Sequence, residues 1–147
     1  MVIWVLNGPN LNLLGVREPD VYGRQTYADL VRAVRGECKQ RGIRVKIAQT
    51  NSEGRLVTLI QRARLRADGI VINPAAYTHT SVAILDAVKA VGLPTVEVHL
   101  SDVTRREDFR QVSFIRSAVV GTVMGKGIDG YREAIALLAD QIGEKRS

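Results

Sequence analysis

An arginine and a tyrosine five positions apart, Arg17 and Tyr22, fall near the end of a long loop, Asn7 to Gly23, with glycines at Gly15 and Gly23. A tyrosine loses its proton near pH 10, so at neutral pH it fails as a base by about three pH units, or about 4 kcal/mol. One or two guanidinium groups held close and away from water can supply much of that. Arg17 and Tyr22 are therefore a candidate activator and base. Their loop could close over a ligand, exclude water and bring the base in with it. Taken alone, the same two residues also fit an exposed arginine and an anchoring tyrosine at a loop tip.

Other polar residues fall at the ends of apolar runs. The first run ends in Asn7, Gly8, Pro9 and Asn10, a later one in Asn73 and Pro74, and a third in Glu97, Val98 and His99, followed by Leu100 and Ser101. An amide can donate and accept at once, which suits holding water or a hydroxylated ligand. Asparagine and glycine also make ordinary turns. Glu97 and His99 have the period of a strand, so both point to one face. A carboxylate beside an imidazole favours the protonated ring and fixes its tautomer, which prepares a general acid. A structural histidine and a plain ion-pair partner remain the alternatives for these two. His79, in "YTHTS", fits both ligand contact and capping of a helix start. Arg110, in "REDFRQ", is a further guanidinium and by itself reads as a surface charge.

These residues need elements to position them. Strands are expected at Val2–Leu6, Ile43–Ala48, Ile70–Ile72, "LPTVEVH" and Ser117–Val123. Between them, Thr26 caps a helix whose apolar face runs Tyr27, Leu30, Val31, Val34, Cys38 and which stops at Gly42. Ser52 opens a second helix with Leu56, Leu59, Ile60 and Ala63 on its face. A third runs from Thr80 to Ala90, a short turn covers Thr104 to Phe109, and Ile128 to Ile142 closes the chain. Strands alternating with helices predict an α/β, flavodoxin-like three-layer fold with a five-stranded parallel sheet in the order 2-1-3-4-5. In such sheets ligands bind beyond the carboxyl ends of the strands, at the switch point between strands 1 and 3, where both asparagines fall.

The totals narrow the function. The chain has 147 residues, enough for one domain (1–147) with its own core. Its net charge of +6 is spread along helices, as in "RARLRAD", with no aromatic platform beside it, which argues against nucleic acid. No apolar stretch approaches the ~20 residues that span a bilayer. The run Val2–Leu6 is too short for a signal peptide, so a cytoplasmic location is expected. The single cysteine, Cys38, falls on an apolar helix face and reads as a core residue. Two histidines and no Cys/His cluster imply no metal.

Together the segments "NGPNLNLLGVREPDVYG", "INPAAYTHTSVAILDA", "EVHLSD" and "REDFR" closely resemble the type II 3-dehydroquinate dehydratases, over nearly the whole chain. That resemblance implies conversion of 3-dehydroquinate to 3-dehydroshikimate and water by anti elimination through an enolate, without a cofactor. By it, Tyr22 is the base, Arg17 holds Tyr22 ionised, and both belong to a mobile lid. Asn10 and Asn73 surround the water that stabilises the enolate oxygen. His99, supported by Glu97, protonates the leaving hydroxyl. The N–H groups of Leu100 and Ser101, with the Ser101 hydroxyl, form the carboxylate site. His79, Asp86 and Arg110 contact the remaining hydroxyls, with Asp86 reaching in from a neighbouring subunit of a homododecamer built from trimers.

Two departures from the family's pattern stand out. Ala75 replaces a frequent glycine, and its methyl group is expected to crowd the loop. Asp102, with Thr104 and Arg105, replaces a more usual stretch and is expected to bring a negative charge near the carboxylate site. Rival readings on the same fold fare worse. A receiver domain wants an aspartate where Asn73 stands, and a flavodoxin wants a Ser/Thr-rich loop where "NGPNLNLLG" stands. A Schiff-base enzyme wants a lysine at a strand end, and Lys39, Lys46, Lys89, Lys126 and Lys145 fall elsewhere. A binding protein that has kept the site is separated only by turnover.

Overall fold

The protein is described by a computed structural model covering residues 1–16, 20 and 24–146. Five strands, β1 (Val2–Asn7), β2 (Arg44–Gln49), β3 (Gly69–Asn73), β4 (Thr95–His99) and β5 (Gly121–Met124), form one parallel sheet in the order β2-β1-β3-β4-β5. The fold is flavodoxin-like, as expected. Helices α1 (Tyr27–Gln40) and α4 (Asp129–Arg146) cover one face, packing on Ile3, Val5, Val71, Val96 and Val98. Helices α2 (Glu53–Ala63) and α3 (Val82–Val91) cover the other, packing on Trp4, Leu6, Ile70 and Ile72. Burial on both faces explains why β1 and β3 read as continuous apolar runs rather than alternating ones.

The predicted caps are in place. Thr26 accepts from the Asp29 N–H at 3.2 Å while its own N–H donates to the Asp29 carboxylate at 2.8 Å, a full capping box. The Ser52 hydroxyl accepts from the Arg55 N–H at 3.1 Å. Cys38 is 1% exposed, and burial, with the Glu37 carboxylate, pushes its thiol up to about 11, as suits a core residue. No helix among the described residues is long and apolar enough to cross a membrane.

Several boundaries differ from expectation, among them β4, which starts at Thr95 rather than Leu93. The fifth strand starts at Gly121, not Ser117, because Ile115–Ala118 winds into a 3₁₀ turn that buries Ile115 and the ladder begins only where the Val120 N–H donates to the Thr95 carbonyl. The third helix starts at Val82, since the Ser81 hydroxyl takes the Ile84 N–H at 3.0 Å and forms the cap. The turn expected at Thr104–Phe109 is two 3₁₀ turns, Val103–Arg105 and Asp108–Gln111, separated by extended backbone at Arg106. The last helix runs on to Arg146, whose side chain pairs with Asp68.

One contact ties the loops that leave β1 and β3. The Gly8 N–H donates to the Asn73 carbonyl at 2.8 Å, and a Cβ on Gly8 would stand 2.6 Å from the Pro74 carbonyl oxygen. Only glycine lets these two strand ends approach so closely.

Candidate active site

A cavity of about 200 Å³ opens beyond the carboxyl ends of β1, β3 and β4. Asn10, Asn73, His79, His99, Leu100, Ser101 and Arg110 all line it, so most of the residues singled out in the sequence converge there. Asp86 does not: it is exposed on α3, outside this cavity. Arg17 and Tyr22 lie outside the described residues.

The pleat of β4 turns Thr95, Glu97 and His99 toward the α2–α3 side, while Val96 and Val98 enter the core under α1 and α4. Glu97 is fully buried and His99 is 4% exposed. His99 Nε2 lies 2.5 Å from Glu97 Oε2, which leaves Nδ1 as the ring nitrogen free to act on a ligand. The same carboxylate oxygen accepts from the Thr78 hydroxyl at 2.7 Å and the Ser113 hydroxyl at 3.3 Å. Burial pushes the Glu97 carboxyl up, but His99, Thr78 and the Arg116 charge outweigh it and hold the carboxyl below its ordinary range. An ionised carboxylate clamped to one ring nitrogen orients the imidazole as a proton donor at the other.

Asn7 and Asn73 face the opposite way. They continue the β1 and β3 positions that pack under α4, and there they meet Tyr131, which is fully buried. The Tyr131 hydroxyl donates to Asn7 Oδ1 at 2.6 Å and accepts from Asn73 Nδ2 at 3.0 Å. Asn7 Nδ2 in turn donates to the Tyr27 hydroxyl at 3.3 Å, and Asn73 Oδ1 accepts from the Ala75 N–H at 3.0 Å. The Asn73 amide is thus fixed in orientation, with one N–H and one lone pair left for the cavity. Burial pushes the Tyr131 phenol well above its ordinary range, so it serves as a neutral hydroxyl.

Asn10 adopts a left-handed conformation (φ 69°), which asparagine tolerates, and its N–H donates to Asn51 Oδ1 at 3.0 Å. Its side-chain amide makes no hydrogen bond among the described residues and lines the cavity. Beyond β4 the chain turns away, so the N–H groups of Leu100 and Ser101 take no backbone partner among the described residues. Two adjacent N–H groups with the Ser101 hydroxyl can receive a carboxylate. His79 ends the 3₁₀ turn Ala75–His79 and caps no helix, which removes that alternative. Its Nδ1 donates to the Val112 carbonyl at 2.7 Å, leaving Nε2 as an acceptor. Burial lowers its proton affinity, with His99 and Arg110 adding to the effect against the Val112 hydrogen bond. Arg110 is no free surface charge: its Nε donates to Glu107 at 2.7 Å and its side chain is largely covered.

The two departures turn out differently from each other. Ala75 has φ 52°, a conformation that strains any residue with a Cβ, so its methyl carries a backbone cost. Asp102 caps the turn that follows it, accepting from the Thr104 N–H at 3.0 Å and from the Thr104 hydroxyl, and pairs with Arg105 at 3.9 Å. It does not line the cavity, so the expected charge near the carboxylate site is absorbed locally.

Sequence reasoning missed several contributors. Arg106 lines the cavity and adds a second guanidinium beside Arg110; it lay within the quoted "REDFR". Gln49 Nε2 donates to the Gly8 carbonyl at 3.1 Å, and the Tyr77 hydroxyl to the Asn51 carbonyl at 2.7 Å, bracing the first loop. Asn7 at a strand end was the one available hint of the Tyr131 network. Among the described residues no three His, Cys, Asp or Glu gather to hold a metal.

The chain is similar to known proteins over nearly its whole length. The family model described as dehydroquinase class II matches residues 1–139. A protein of Rhodopseudomonas palustris named 3-dehydroquinate dehydratase is 54% identical over 142 residues, 96% of this chain and 94% of that one. One of Pseudomonas putida, named 3-dehydroquinate dehydratase 2, is 51% identical over 144 residues, 98% of this chain and 97% of that one. The crystal structure of a type II dehydroquinase from Butyrivibrio crossotus superposes with a TM-score of 0.93 at 45% identity, covering 95% of this chain and 97% of that one.

Proposed function

Because this chain belongs to the class II dehydroquinase family, we propose that it dehydrates 3-dehydroquinate to 3-dehydroshikimate by anti elimination through an enolate. It acts as a single cytoplasmic catalytic domain without a cofactor. The phenolate of Tyr22, kept ionised by Arg17, takes the proton beside the ketone, and the electron pair moves onto the ketone oxygen as an enolate. Asn10 and Asn73 hold the water that receives this charge. The enolate then collapses and expels the hydroxyl, which takes a proton from His99 and leaves as water. Leu100 and Ser101 receive the carboxylate, His79 and Arg110 the ring hydroxyls, with Asp86 supplied by a neighbouring subunit of a trimer-based homododecamer.

The observation that carries this reading is the Glu97–His99 pair. It is buried at 2.5 Å, aimed at a cavity whose other walls offer amides, free N–H groups and two guanidiniums. A base arriving from the lid and an acid from the strand end approach a bound ring from opposite sides, as anti elimination requires. The test is an ultraviolet assay for the conjugated enone. Tyr22→Phe, Arg17→Ala and His99→Ala are each expected to lose kcat by about 10²-fold or more while staying folded. Wild-type turnover by any one of them removes that residue from its role, and borohydride trapping of a covalent adduct would replace the mechanism altogether.

A further inference from the structure

We propose that Arg116 is a positioning residue for the acid: its guanidinium, held beside the less-bonded oxygen of Glu97, sets how readily the Glu97–His99 pair releases its proton. The inference rests on the dehydratase reading for its kinetic consequence, and on the geometry of a buried pair for the rest.

The two oxygens of Glu97 are unequally served. Oε2 carries His99, Thr78 and Ser113, at 2.5, 2.7 and 3.3 Å. Among the described residues Oε1 has only the Thr122 hydroxyl at 3.5 Å and, at 3.7 Å, Nε of Arg116. Arg116 is carried on the 3₁₀ turn Ile115–Ala118, which the buried Ile115 anchors to the core. Its side chain reaches solvent in part, at 36% exposure, yet Nε and Nη2 are buried and make no hydrogen bond among the described residues. One desolvated donor of this cation, Nε, therefore stands beside the under-served oxygen of a fully buried carboxylate, and a second, Nη2, is buried on the same guanidinium. Stranding them costs free energy, and their attraction for a negative charge on Glu97 is the compensation the structure offers.

The charge sequence gives the direction. With its proton the pair is imidazolium and carboxylate, net zero. After His99 gives that proton to the leaving hydroxyl, the pair carries one negative charge on Glu97, next to Arg116. A nearby cation favours the second state over the first, so Arg116 makes the pair a better acid. The other titratable and charged groups around the pair are His79, Arg106 and Arg110 on the cavity side, while Thr78, Ser113 and Thr122 are neutral hydroxyls. Arg116 is the only cation placed behind Glu97, away from the ligand, among the described residues.

The experiment compares wild type with Arg116→Met, Arg116→Gln and Arg116→Lys in two ways. Steady-state kinetics on 3-dehydroquinate across pH should show kcat lowered about tenfold in the Met and Gln variants, with KM within about twofold. The alkaline limb of their kcat profile should move up by about one pH unit, and the Lys variant should restore both. Independently of turnover, ¹⁵N NMR of the chain's two histidines, distinguished with His79→Gln, should show the pair releasing its proton at correspondingly higher pH. Should Met disrupt the fold, the Gln variant carries the comparison. A limb and NMR titration that stay put overturn the proposal, even if kcat falls, since a purely structural role would lower kcat alone. Absence of turnover in the wild type would sink the dehydratase reading, and the NMR titration would still decide the role of Arg116.

Discussion

Replacing Tyr131 by Phe isolates the chemistry of one buried hydroxyl. The ring is 0% exposed and the substitution keeps its volume, so packing is conserved. Two hydrogen bonds disappear, the 2.6 Å bond to Asn7 and the 3.0 Å bond from Asn73. At a net ~1 kcal/mol each, that is about 2 kcal/mol. Asn7 and Asn73 are 0% and 2% exposed, so the groups left behind cannot turn to water, and the space vacated is smaller than a water molecule. Stranding them raises the expected loss to about 2–4 kcal/mol. That is less than the ~5–15 kcal/mol of an ordinary domain, so the variant stays folded at 25 °C. Urea unfolding should show a lower midpoint at unchanged slope. Tyr27→Phe, which breaks only the 3.3 Å contact at the far end of the network, should cost less than about 1 kcal/mol. In the Tyr131→Phe variant the Asn73 amide also loses one of its two anchors, so kcat should fall about tenfold with little change in KM. A loss below about 0.5 kcal/mol, or wild-type kcat, would refute the view that Tyr131 sets the amide.

Two further substitutions probe the strained turn and the buried carboxylate. Ala75→Gly relieves a left-handed conformation (φ 52°) worth about 1–2 kcal/mol and gives back about 0.4–1 kcal/mol of chain entropy. It should stabilise the fold by about 0.5 kcal/mol in thermal unfolding, and a loss of 1 kcal/mol or more would show that the methyl packs better than its backbone suggests. The Glu97 carboxyl is held below its unfolded value of 4.5, so its stabilisation is complete above that pH and fades as pH falls through the folded value. Acid unfolding of the wild type should therefore be steeper below pH 4.5 than that of Glu97→Gln, by up to ~1.4 kcal/mol per pH unit. Parallel curves would mean that the carboxylate is not the group whose protonation is felt.

Much of this was written in local sequence. The apolar runs of β1 and β3, Thr26 followed by Asp29, and Ser52 ahead of an apolar helical face each report a local preference that the tertiary structure leaves alone. Glu97 and His99 were legible as a pair because strand periodicity acts over two residues. The Tyr131 network was not, since it joins residues 58 and 124 positions apart, and on α4 a tyrosine with a buried partner looks like any other member of the apolar face. Arg116 was hidden for a different reason. Its neighbours, Ser117 to Val123, are small or β-branched and read as one strand, whereas pairing to β4 begins only at Val120. Which part of an apolar run enters a sheet is decided by the partner strand, so the turn that carries Arg116 could not be separated from β5 beforehand.

The pleat of the sheet divides the work of the site. Asn7 and Asn73 occupy paired positions on adjacent strands and turn together toward α4. Glu97 pairs with Ile72, one residue before Asn73, and so turns to the opposite face along with His99. The cavity lies past the rim of the sheet, where both sets can reach it from different sides. Acid and amide are thereby kept apart by backbone geometry rather than by side-chain choice. A one-residue slip of β4 against β3 would drive Glu97 into the α4 core and Val98 toward Arg116. Thr78, Ser113, Thr122 and Arg116 gather around a carboxylate only if that register holds. The buried polar cluster beneath His99 therefore disfavours a one-residue slip of the β3–β4 register at the same time as it prepares the acid, since that slip would strand its charges.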